Sequence, residues 1–124
     1  MRKIEDQMLI AIREVMADRN FSGKYWGKDN TSVWQHHEPG PNGARYIEVI
    51  LHNTAIGLIE PSAHRINFYT KGYRTATTKS RINALLNLTD GYSVFQKNHQ
   101  WRYSRRTWDK SAEFYDGLCL GLSL

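Results

Sequence analysis

Ile4, Met8, Ala11, Ile12 and Val15 recur at intervals of three and four, which winds them onto one stripe of a 3.6-residue helix. Arg2, Lys3, Glu5, Asp6, Arg13 and Glu14 fall mostly off that stripe, so an amphipathic helix from Met1 to about Arg19, packed on a sheet, is predicted. From Asn20 to Gly43 the chain turns to Gly, Asn, Ser and Pro around Trp26 and Trp34, which reads as a long loop holding one short strand near Ser32–Gln35. The period then changes to two. Ile47, Val49 and Leu51 lie on one face of a strand, with Tyr46, Glu48, Ile50 and His52 on the other. Asn53-Thr54 supplies a turn, Ala55–Glu60 a second strand, Pro61-Ser62-Ala63 another turn and Arg65–Thr70 a third strand with Ile66 and Phe68 inward. Connections this short require antiparallel neighbours, because a parallel pair needs a crossover of roughly a dozen residues.

Thr78 is the expected N-cap of a second helix from Lys79 to about Leu88, which buries Ile82, Leu85 and Leu86 and stops at Asp90-Gly91. Tyr92–Gln96 and Gln100–Ser104 form a predicted hairpin, and Phe114–Leu122 a final strand. The expected architecture is α+β: an antiparallel sheet, made of a meander and a C-terminal hairpin, covered by two helices. The 124 residues suit a single domain, 1–124.

Apolar residues make up 40% of the chain and charged residues 23%, a balance that folds rather than stays disordered. The longest apolar run, Met8 to Ile12, is far too short to span a bilayer, and no signal-peptide stretch follows Met1-Arg2-Lys3, so a soluble protein that stays off the membrane is expected. Cys119 is the only cysteine, which excludes an internal disulfide and a zinc site built from cysteines of one chain.

The net charge of +5 is unevenly spread. Residues 1–60 hold 7 basic and 8 acidic side chains, net −1; residues 61–110 hold 10 and 2, net +8; residues 111–124 hold 2 acidic and none basic, net −2. Such a field draws polyanions without specifying which one, and the same charges would also serve a merely solvated surface. Within the basic stretch, Arg74, Thr75, Thr77, Thr78, Lys79 and Arg81 gather cations and hydroxyls at a predicted helix start, where free N–H groups favour anions. A purely structural alternative has the threonines capping the helix while Lys79 and Arg81 point to water. If Lys79 and Arg81 instead serve binding alone, changing both to glutamate is expected to leave stability unchanged or slightly improved while binding to the anionic partner weakens greatly.

A second candidate is Lys97–Lys110, where Trp101, Tyr103 and Trp108 interleave with Arg102, Arg105 and Arg106 as in single-strand binders. Strand alternation turns Trp101 and Tyr103 away from Arg102, which makes core the better reading for Trp101 and leaves Arg105 and Arg106 as the contact residues. His36-His37-Glu38 lacks a spaced partner that would complete a metal or acid-base motif, and Glu113 with Asp116 is explained equally by a strand end. No phosphate loop, nucleophile elbow or close acid pair points to an enzyme, and neither a metal nor a cofactor is expected.

Tyr73-Arg-Thr-Ala-Thr-Thr-Lys-Ser-Arg-Ile-Asn-Ala-Leu85, followed by Tyr92–Trp101 and Phe114–Leu118, resembles a group of small uncharacterised proteins of tailed bacteriophages. The resemblance covers roughly residues 30–120 and implies a protein acting in the cytoplasm of an infected bacterial host. It assigns no residue a role. Joined to the charge pattern, it leads to the expectation of a non-enzymatic accessory or host-takeover protein that binds nucleic acid through its basic surface. The alternative is an inhibitor that binds an acidic surface of a host protein, such as a defence nuclease, CRISPR effector or polymerase.

Overall fold

The computed structural model describes residues 3–39 and 43–123. Helix α1 (Lys3–Ala17) precedes strands β1 (Gly23–Lys28), β2 (Thr31–His37), β3 (Arg45–Leu51), β4 (Thr54–Glu60) and β5 (Arg65–Phe68). Helix α2 (Ala76–Leu85) follows, then β6 (Tyr92–Lys97), β7 (Gln100–Arg105), β8 (Ala112–Glu113) and β9 (Leu118–Gly121). The large sheet is antiparallel, with six strands in the order β1-β2-β3-β4-β5-β9, and β6-β7-β8 form a separate three-stranded sheet. The fold is α+β, as the alternating patterns implied.

Cross-strand register shows how the core is assembled. Val33, Val49, Gly57, Phe68 and Leu118 form one row across the large sheet, and Gln35, Ile47, Ile59, Ile66 and Leu120 a second, all buried. Onto this face α1 lowers Met8, Leu9, Ala11, Ile12 and Val15, and α2 lowers Ile82, Ala84 and Leu85. Helix α2 packs tightly over Gly57: a Cβ there would stand 3.0 Å from Leu85 Cδ1. The opposite face, with Trp34, His36, Tyr46, Glu48, Ile50 and Leu58, is only half-buried.

Four features depart from the sequence reading. The segment 20–43 holds two strands rather than one, because β1 and β2 pair as a hairpin through Asp29 and Asn30, both left-handed at φ 51° and 63°. A bulge between Lys24 and Trp26 breaks the alternation of β1, which is why its pattern reads as loop. The β3–β4 turn is His52-Asn53, at φ 49° and 66°, one residue earlier than Asn53-Thr54; paired left-handed residues of this kind match the strands' twist. Helix α2 begins at Ala76, with Thr75 rather than Thr78 as the cap: the Thr75 hydroxyl accepts from Thr78 N at 3.1 Å. The expected last strand, Phe114–Leu122, shortens to β9, with β8 lying just before it in the small sheet, because Asp116 accepts from Thr70 N and Oγ1 and from Lys71 N and so turns the chain between Glu113 and Leu118.

Candidate nucleic-acid interface

The first turns of α2 separate the residues that the sequence placed together. Arg74 lies 5.6 Å from the ring centroids of both Trp101 and Phe114 and donates to the Phe114 carbonyl at 3.4 Å, so it is braced along the small sheet. Thr75 and Thr78 join hydroxyls at 3.0 Å, and Thr77 is half-buried. Lys79 is half-buried and, among the described residues, its ammonium meets no ion-pair partner.

Arg81 is not a surface cation. It is 4% exposed, with Nη1 3.2 Å from Glu5 Oε1 of α1 and Nε donating to Thr31 Oγ1 of β2 at 3.1 Å. Ser80 donates its hydroxyl to the same Glu5 oxygen. The spacing 78, 81, 82, 85 puts Arg81 on the buried stripe with Ile82 and Leu85, and its charge is answered there by Glu5. That spacing was visible in the sequence; the partner, 76 residues away, was not.

In the small sheet the alternation holds. Val94 and Trp101 are buried, and Asn83 of α2 clamps Val94 from both sides: Nδ2 donates to its carbonyl at 2.9 Å and Oδ1 accepts from its N–H at 2.8 Å. Burial holds the Tyr103 phenol above its ordinary pKa. Phe95 and Arg102 face each other across the strands on the other side. There Phe95, Lys97, Gln100, Arg102, Lys110 and Ser111 line an open depression of about 620 Å³, whose wall also includes Asp109.

Arg102 is fixed in that depression by Ser111, with Nε to the hydroxyl at 2.6 Å and Nη2 to the carbonyl at 2.8 Å, and by Gln100 at 3.4 Å. Lys97 and Lys110 are exposed and make no ion pair among the described residues. The sequence reading names Arg102 within the stretch bounded by Lys97 and Lys110, assigns neither lysine a contact and leaves out Phe95. Their strand positions 95 and 97, in phase with 102 across the hairpin, were the available signal.

Arg105 and Arg106 lie elsewhere. Arg105 pairs with Asp90, donates to its carbonyl at 3.1 Å and lies 5.6 Å from the Tyr92 ring. Arg106 is exposed at the strand's end, near Trp108, which is 39% exposed and meets Tyr92 edge-on at 5.7 Å.

His36 and His37 diverge, as neighbours on a strand must. His36 Nε2 stands 3.0 Å from Glu48 Oε1, with its ring beside Trp34 and Tyr46 on the half-buried sheet face. His37 Nε2 reaches the Phe21 carbonyl at 3.0 Å. Among the described residues no three metal-capable side chains converge.

A family of phage proteins, described as Kyanoviridae Gp96 protein, matches residues 1–121. The chain belongs to that family. Neither a curated protein nor a solved structure matches it. Family membership agrees with the phage origin that the Tyr73–Leu85 resemblance implied, and the match takes in both helices and both sheets. No helix among the described residues is long and apolar enough to cross a membrane.

Proposed function

We propose that this phage protein binds single-stranded nucleic acid on the outer face of the three-stranded sheet, without catalysis, in the cytoplasm of the infected host. One observation carries the reading: a flat aromatic ring, Phe95, shares a solvent-open depression with Lys97, Arg102 and Lys110. Unpaired bases stack on such rings while the cations hold phosphates, and a duplex would keep its bases from Phe95. The preset Arg102 fork loses little freedom on binding, and Arg74, Lys79 and Arg106 extend the positive field along the same basic half of the chain. Thr75 and Thr78 join hydroxyls at the helix start, and Arg81 and Arg105 are held by Glu5 and Asp90.

The test is anisotropy of labelled single- and double-stranded oligonucleotides at low salt. Phe95→Ala is expected to weaken single-strand binding by about 1–3 kcal/mol, the worth of one stacked base. The pair Lys97→Glu and Lys110→Glu, at exposed positions, is expected to weaken it further with the fold intact. Absence of binding to either nucleic acid removes the proposal. The same cations also suit an acidic surface of a host defence nuclease, CRISPR effector or polymerase; capture of a host protein from nuclease-treated lysate, lost in the Lys97 and Lys110 variant, favours that inhibitor instead.

A further inference from the structure

A second depression, of about 400 Å³, lies between the β3–β4 turn and the first turn of α2. Its floor is apolar, built from Leu51 and Ile56, which are 3% and 1% exposed. Tyr73 forms a wall and is 65% exposed, the largest fraction among the exposed apolar and aromatic side chains described. The rim carries His52, Asn53 and Thr54, whose side chains, like the Tyr73 hydroxyl, make no hydrogen bond among the described residues.

Both sides are held firmly. Tyr73 N donates to the Thr70 carbonyl at 2.9 Å, and Asp116 fixes Thr70 and Lys71 just before it. On the opposite side His52 and Asn53 occupy the tight left-handed turn, where His52 N donates to Asn30 O at 2.9 Å.

The chemistry of this lining selects its ligand. It contains no Asp, Glu, Lys or Arg, so no permanently charged side chain lines it. It does offer an apolar floor, an aromatic ring to stack on, and an imidazole, an amide and hydroxyls that can donate or accept at a ring's edge. That combination suits a planar, uncharged heterocycle with a hydrogen-bonding edge.

We infer that this pocket takes a nucleobase, stacked on Tyr73 and read at its edge by His52, Asn53 and Thr54. The choice of a nucleobase among heterocycles rests on the nucleic-acid reading above, since the uncharged planar part of a polyanion drawn to the basic half is its base. The pocket is separate in residues from the depression at Phe95.

Titration of the full chain with adenosine, guanosine, cytidine and uridine, followed by the amide and side-chain signals of residues 51–54 and 73, tests this directly. At least one nucleoside is expected to bind, with Tyr73→Ala weakening it about tenfold or more and Tyr73→Phe keeping most of the affinity. Thr54→Val is expected to change which base is preferred.

A strand carrying one abasic position, compared with its intact parent, shows whether the base comes from a polymer or from a free nucleoside. The Lys97→Glu and Lys110→Glu variant is expected to bind nucleosides as the parent does, so failure of the small-sheet interface and failure of this pocket give different patterns. If no nucleoside binds at millimolar concentration, or if Tyr73→Ala binds as well as the parent, the inference is overturned.

Discussion

Lys79 and Arg81 stand two residues apart on one helix, and their side chains end in opposite environments. Lys79 sits in the first turn of α2, where the helix dipole disfavours a cation, so Lys79→Glu is expected to leave stability unchanged or raise it by about 0.3–1 kcal/mol. Arg81 is held in the core by Glu5 and Thr31, and Arg81→Met is expected to cost about 3–5 kcal/mol, because it takes the guanidinium away from the buried Glu5 carboxylate. Urea unfolding of the two single variants separates them, and an Arg81→Met protein as stable as the parent would show that the pair contributes nothing. From sequence, a double glutamate change is expected to spare stability while weakening binding. The structure limits that expectation to Lys79, since Arg81→Glu would set two carboxylates against each other in the core.

At the scale of the elements, α2 joins the two sheets through specific contacts rather than through its apolar stripe alone. Thr75→Ala removes the cap and is expected to cost about 1 kcal/mol. Asn83→Ala strips both partners from the Val94 backbone and is expected to cost about 1–3 kcal/mol. Its distinguishing readout is hydrogen exchange: the Val94 amide should lose protection while those of β3 and β4 keep theirs. Equal loss everywhere would mean that the small sheet has no separate attachment at Asn83. The helix stripe was legible in the sequence because 3.6-residue periodicity is local. The Asn83 clamp was not, because an amide on a helix gives no hint of which strand edge it will face.

For the whole molecule, the asymmetry of charge makes a prediction that any single residue cannot. If the basic half holds phosphates, the logarithm of affinity for a single strand should fall linearly with the logarithm of salt concentration, with a slope of about −0.7 per phosphate neutralised. Replacing Lys97 by glutamine should make that slope shallower by roughly one contact, whereas an Arg81 variant that still folds should leave it unchanged. A salt-independent affinity would point away from phosphates altogether. The sequence by itself determined the α+β class, the amphipathic first helix, the inward faces of β3 and β5, the burial of Trp101 and the +8 stretch, because each is written in local periodicity or simple composition. It missed β1, where a bulge destroys the period, and it grouped Arg81 with surface cations although Glu5 lies 76 residues away. Tertiary structure alone decided which cations are free, that Phe95 shares a depression with Lys97 and Lys110, and that the β3–β4 turn meets Tyr73 to form a pocket. The physical reason is the same in each case: charge and exposure belong to the surroundings of a side chain, and those surroundings are supplied by segments distant in sequence.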